Sequence, residues 1–471
     1  MKIAFVFVPY RHKRFSENLR VVDDDFGVLP PINLGWAAAI SESAGHEVMM
    51  VDAQAERLSI DVTIERLRAF GAEAVGFYFS TYMFHDTLAW ARKIRAALGV
   101  PILAGGINVG LYPAETMSHP EIDVALNGQA YESLPRLLDA LARGDEPAGI
   151  PGACYRKGDE LVMVPPDTRL RAFAKYPFPA RHLLPNERYY SITSQLRNFT
   201  VLLTQMGCPQ KCSFCPISRV PYQARSVDSV LAEVDECVQR YDIHEIDFFD
   251  ADFVVARRRA EAICRGLIER KYPLEWSCRA CVDSLDRDML RLMADAGCRK
   301  VYIGIETANP ESLRLMNKHL EISRVHQVIR DAQEVGIHPL GFFMTGVPGE
   351  SRESLRSTIR YSVSLGLDYA QFSRTIAKPG TGLHDEVVRA TGIDYWREWV
   401  LGRMPERRLP NPWTELTDRE IELWTQIAYL TFYFRPTYLG KAMLRFRALD
   451  ETVRSVRTAA RMLIHAVRKD W

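Results

Sequence analysis

Apolar residues come in short blocks along the first part of the chain, and their spacing alternates between two periods. The opening "KIAFVFVP" (2–9) is a short apolar run. "LGWAAAISESAGHEVMMVDA" follows with helical spacing, a glycine stop at Gly45 and an apolar strand ending at Asp52. "AVGFYFS" (74–80) reads as a strand, "DTLAWARKIRAAL" (86–98) as a helix, and "PILAGG" (101–106) as a strand running into two glycines. "IDVALNG" (122–128) is one more strand, with the helix "ESLPRLLDALAR" behind it. Strands alternating with helices predict a parallel sheet covered on both faces over residues 1–145. Ligands of such open sheets sit beyond the carboxyl ends of the strands, which here carry Pro9, Ser80, Thr81, Gly105, Gly106, Asn127 and Gly128.

Residues 146–198 read as a connector with scattered prolines. Six strands separated by helical patterns then run from "FTVLLTQ" through "EIDFFD", "EWSCRACV", "KVYIGIE" and "HPLGFFMTG" to "DYAQFS". They predict a partial (βα)6 barrel of the TIM type over 199–400. Residues 401–471 read as a helical C-terminal region, in which "TDRE" (417–420) fits a capping box. In the tail, Val453, Val456, Ala460, Leu463, Ile464 and Val467 share one helical face. That face suits a helix packed on the barrel; the Lys- and Arg-rich remainder suits a membrane or an acidic redox partner. The predicted fold class is α/β, with a Rossmann-like N-terminal sheet, the partial barrel and the helical end.

Period two sorts the barrel strands into faces. In "KVYIGIE", Val301, Ile303 and Ile305 suit packing under helices, while Tyr302, Gly304 and Glu306 face the lumen. In "EWSCRACV", Trp276, Cys278, Ala280 and Val282 form the apolar face, against Ser277, Arg279 and Cys281. Arg279 in the lumen suits a carboxylate or phosphate. Cys281 is a substrate-facing thiol or a small core residue. Cys278 and Cys281 point to opposite sides and make poor co-ligands for one metal. Tyr369, Gln371 and Ser373 offer polar contacts from the sixth strand. Tyr302 and Gln371 join Arg279 and Cys281 as candidate catalytic residues.

Composition changes little. Lys and Arg number 60 against 59 Asp and Glu, which gives no argument for nucleic acid or an anionic membrane surface. Nine cysteines are too few for a disulfide scaffold in 471 residues and suit a reducing compartment. The chain shows neither a signal peptide nor an apolar run long enough to span a membrane, so the expected setting is the cytoplasm.

The chemistry concentrates in "LLTQMGCPQKCSFCPISRVPYQARS", where Cys208, Cys212 and Cys215 are spaced C-x3-C-x2-C. A structural zinc site needs four donors, and no second pair accompanies this triplet convincingly. A cubic 4Fe–4S cluster takes one thiolate on each of three irons and keeps the fourth iron open. Gly207 and Pro209 shape the entry to the loop. With Phe214 before the last cysteine, at the end of the first barrel strand, the motif resembles that of the radical S-adenosylmethionine (SAM) enzymes. The resemblance implies that SAM chelates the open iron. One electron then cleaves its carbon–sulfur bond, and a 5′-deoxyadenosyl radical abstracts hydrogen from an unactivated C–H. It places Asp250 and Asp252 of "FFDADF" at the methionine amino group, with helix capping as their alternative. It places "YIGIETAN" with Glu306, and "FMTGVPGES" with Gly346, at the ribose and adenine; a surface salt bridge is the alternative for Glu306. A small-molecule substrate and a flavodoxin- or ferredoxin-type electron donor follow from it, with zinc or a plain electron-carrier cluster as rivals.

An open αβ domain ahead of such a barrel resembles the cobalamin-binding branch, which includes radical methyltransferases and the anaerobic magnesium-protoporphyrin cyclase. "PPINLGWAAAISESAGHEVMMVDA", "AGGINVGLYPAETM" and "IDVALNGQAYESLPRLL" match its landmarks in order. That implies cobalamin at Gly105, Gly106 and Gly128. The chain departs from the branch where Gln129, Ala130 and Tyr131 replace the usual G-E-G-E continuation, and where Asn108 stands for a common histidine. The implied reaction is C-methylation; without cobalamin it would be dehydration, cyclisation or rearrangement.

Overall fold

The computed structural model describes residues 1–9, 27–128, 130–167, 173–191, 194, 196, 198–403, 409–436 and 438. Gln129 and the helix expected over 441–469 lie outside them. Among the described residues, the chain divides into two compact units: 1–9, 28–189 and 394–403 in one, and 27, 190–393 and 409–438 in the other.

The first unit is built on strands β1 (Lys2–Phe7), β2 (Glu47–Asp52), β3 (Ala74–Tyr78), β4 (Ile102–Gly105) and β5 (Val124–Leu126). They run parallel in the order β2-β1-β3-β4-β5. The order reverses between β1 and β3, which sets the ligand crevice of a doubly wound sheet at their carboxyl ends. Strands β6 (Ala153–Lys157) and β7 (Glu160–Met163) extend this sheet as an antiparallel hairpin. The expected connector therefore contains sheet. Its turn is made by Gly158 at φ 61°, and Ala153, Cys154 and Tyr155 are buried. The segment starting at Asp394 packs with this unit, although its position in sequence put it in the barrel: Trp399 Nε1 donates to Thr81 O at 2.8 Å.

The second unit holds β8 (Phe199–Leu202), β9 (Glu245–Phe248), β10 (Glu275–Ala280), β11 (Cys298–Glu306), β12 (His338–Thr345) and β13 (Tyr369–Arg374). All six are parallel and neighbour one another in chain order, as a partial barrel requires. Trp276, Cys278, Val301, Ile303, Ile305, Phe343 and Phe372 lie in the apolar core beneath the helices, as the period-two reading expects. Lys300 pairs with Glu245 at 3.0 Å in a buried layer of the opposite, inner face. Above it lies the layer of Asp247, Arg279 and Tyr302. The helix Asp418–Tyr433 begins at the expected capping box of Thr417 and Glu420 and covers the free edge of β13. Tyr433 Oη accepts from Ala370 N at 3.1 Å and donates to Ala370 O at 2.8 Å, which closes an edge open to further strands.

Candidate active site

The cysteine loop leaves the carboxyl end of β8 and is tied down on several sides. Gly207 sits at φ 73°, and a Cβ there would lie 2.4 Å from Pro221 O, so only glycine fits. Ser213 N donates to Met316 O at 2.8 Å, Leu383 N to Ser213 O at 3.0 Å, and Asn317 Nδ2 to Lys211 O at 2.8 Å. Asp250 is 1% exposed and accepts from the amides of Thr204 and Gln205 at 2.8 and 3.1 Å. It carries the start of the loop and caps no helix. Burial raises its carboxyl to about 6 despite those bonds. Phe214, expected at the cofactor, packs against the cluster of Leu313, Met316 and Val347.

Cys208 and Cys215 are partly exposed and Cys212 is buried. Burial pushes the Cys212 thiol up to about 11, while the nearby Lys318 ammonium pulls the other way. Among the described residues, no three His, Cys, Asp or Glu side chains converge on a single metal ion. A cubane asks for something else, since each thiolate takes its own corner. Three thiols held on one pinned loop, with an ammonium close by, fit that anionic group.

Around the loop stand Lys318, Glu306, Asp252 and Cys281. Lys318 Nζ lies 3.7 Å from Glu306 Oε1, at the carboxyl end of β11. Burial opposes the Lys318 charge, but the Glu306 carboxylate, with Asp252 nearby, outweighs it and holds the ammonium protonated. Asp252 is 3% exposed and accepts from Val254 N at 3.1 Å and from Ser284 Oγ at 3.2 Å. Burial raises Cys281, and so does Asp252 beside it, so the thiol stays neutral. Lys318 carries no local sequence signal; only the fold of the loop behind the helix Pro310–Leu315 brings it here.

Arg279 donates to both oxygens of Asp247 at 2.8 and 2.9 Å, so its charge is paired within the barrel. The amide of Gly346 donates to Glu350 and its carbonyl accepts from Trp413 Nε1 at 2.8 Å. A Cβ built on Gly346 would lie 2.6 Å from Ile421 Cδ1, so a larger residue there would press on that side chain. Tyr302 and Gln371 lie on the inner face as expected, with Gln371 Nε2 donating to Ser373 Oγ at 3.3 Å.

In the first unit, a Cβ built on Gly105 would meet nothing within 4 Å, which leaves the end of β4 open to a bulky ligand. Gly106 and Gly128 hold φ of 106° and 96° at neighbouring strand ends. Thr81 Oγ1 and Asn108 Oδ1 are buried near those ends without a hydrogen-bond partner among the described residues. Tyr131, the aromatic that intrudes on the branch pattern, stacks edge-on against Tyr176 at 4.9 Å. These residues fit cobalamin.

Residues 202–362 match the model of the radical SAM superfamily, and residues 21–138 match that of the B12-binding domain. An uncharacterized methyltransferase of Pyrococcus horikoshii is 29% identical over 88% of this chain and 89% of its own. The cytidylyl-2-hydroxyethylphosphonate methyltransferase of Streptomyces wedmorensis is 25% identical, over 77% and 79%. The fold is also that of the cobalamin-dependent SAM radical enzyme OxsB with aqua-cobalamin bound. That likeness has a TM-score of 0.69 and 14% identity, and it covers all of this chain and 74% of the other. Barrel and site together define a radical SAM enzyme. The chain carries a radical SAM domain behind a B12-binding domain, an arrangement under which its relatives include radical methyltransferases and the anaerobic magnesium-protoporphyrin cyclase. Its cofactors are a 4Fe–4S cluster, SAM and cobalamin. Among the described residues no helix is long and apolar enough to cross a membrane.

Proposed function

We propose that this chain converts SAM to 5′-deoxyadenosine by way of its radical, takes hydrogen from an unactivated C–H of a small-molecule substrate, and methylates that carbon. The observation that supports this most is the Lys318–Glu306 pair, buried beside Cys212, Asp252 and Cys281. When bound, the cluster supplies the electron and cobalamin the methyl group. Cys208, Cys212 and Cys215 hold the cluster. Lys318 offers an ammonium to the methionine carboxylate of SAM, and Glu306 accepts from the ribose hydroxyls or the methionine amino group. Asp252 keeps Cys281 a neutral donor, so this thiol does not compete as a fourth ligand. Gly105, Gly106 and Gly128 leave room for cobalamin. A flavodoxin- or ferredoxin-type protein delivers the electron.

The test is anaerobic reconstitution with iron, sulfide and cobalamin, reduction by dithionite, and mass analysis. Formation of 5′-deoxyadenosine and a product heavier by one CH2 are expected. A product that has lost water would replace methylation by dehydration, and no SAM cleavage at all would sink the reading.

A further inference from the structure

Phe248 and Phe249 are neighbours with opposite fates. Phe248 is 0% exposed in the core, whereas Phe249 is 43% exposed. Alternation puts Phe249 on the inner face with Asp247, beyond the carboxyl end of β9. That end is the rim from which the cysteine loop also departs, since all six strands run parallel. A singly exposed phenylalanine needs no explanation in itself. This one is held flat. The Arg279 guanidinium lies 3.9 Å from its ring centroid and 5.0 Å from that of Tyr302. Tyr302 in turn stacks on Phe342 at 5.9 Å, with the planes 10° apart. Asp247 locks the guanidinium with two hydrogen bonds. Flat groups thus form a ladder across four adjacent strands, and its outer rung is the exposed phenyl face.

We propose that Phe249 is the platform for an aromatic or heteroaromatic ring of the substrate, stacked on the ladder of Arg279, Tyr302 and Phe342. The charge of Arg279 is paired, so the ladder offers π surface rather than an anion site. Its members are fixed before the ligand arrives, so stacking costs little ordering. An aliphatic chain would gain contact area there but not the ring–ring attraction. The inference rests on the radical SAM reading, which supplies the reaction at that rim.

The probes are 2-naphthol and its saturated counterpart decahydro-2-naphthol, titrated into the reconstituted full-length holoenzyme with SAM present. The flat alcohol is expected to bind roughly tenfold more tightly, the size of one good ring–ring contact. Phe249→Ala should remove that preference, and Phe249→Trp should keep it. Both variants should bind SAM like the parent and form 5′-deoxyadenosine without substrate. Equal affinity for the two alcohols, including binding of neither, overturns the proposal, as does a loss of SAM affinity in Phe249→Ala. A parent enzyme that cleaves no SAM instead overturns the reading beneath it, whatever the naphthols do.

Discussion

Lys318 Nζ stands 3.7 Å from Glu306 Oε1, with the two side chains only 11% and 10% exposed. The pair joins a strand end at positive φ, 65° at Glu306, to a loop twelve residues further on. Lys318→Met leaves a buried carboxylate without its cation, which should cost about 3–5 kcal/mol of stability. The double variant Lys318→Met, Glu306→Gln should recover most of it. Neither should form 5′-deoxyadenosine. Urea unfolding and chromatography of the reaction read the two effects separately. Cleavage by the double variant would reduce the pair to a structural strut.

Cys208→Ala, Cys212→Ala and Cys215→Ala should each lose SAM cleavage while the first unit stays folded. Iron content and electron paramagnetic resonance of the reduced protein, with and without SAM, check the ligand assignment. Full activity in any one variant refutes it.

Glu350 gives a pH signature. It is 1% exposed, and burial raises its carboxyl from 4.5 to about 8, although the amides of Gly346 and Val347 pull it down. The folded chain then keeps a proton that the unfolded chain releases. The contribution of this group to stability is full below about 4.5 and falls as pH rises to about 8. Glu350→Gln should flatten that fall by up to about 1.4 kcal/mol per pH unit. Urea midpoints of parent and variant across this window test it; a variant that loses stability faster than the parent on raising pH would contradict the assignment.

The edge of β13 is closed by hydroxyls. Phe372 N donates to Tyr429 Oη at 3.2 Å, and Ala370 is bonded twice to Tyr433 Oη. Tyr429→Phe with Tyr433→Phe should cost about 3 kcal/mol, from three hydrogen bonds worth roughly 1 kcal/mol each. Hydrogen exchange should quicken at the Ala370 and Phe372 amides before it does in β10 or β11. Uniform exchange across the sheet would place the closure elsewhere.

The strands, their inner and outer faces and the cysteine loop were legible in the amino-acid order because each is a short-range pattern. Alternation needs only neighbours, and C-x3-C-x2-C closes on itself. Val301, Ile303 and Ile305 declared the core face, and "TDRE" declared a helix start. The sequence alone also carried the family resemblance that the two domain models bear out. Partners across the sheet were not legible. Asp250 holds Thr204, Arg279 answers Asp247, and Lys318 reaches a loop 106 residues earlier at Cys212. Residues 394–403 return to the first unit. Such pairings depend on strand register and on where loops fold back, and no local spacing encodes either. The tertiary structure therefore decided which polar residues serve the scaffold and which remain for chemistry.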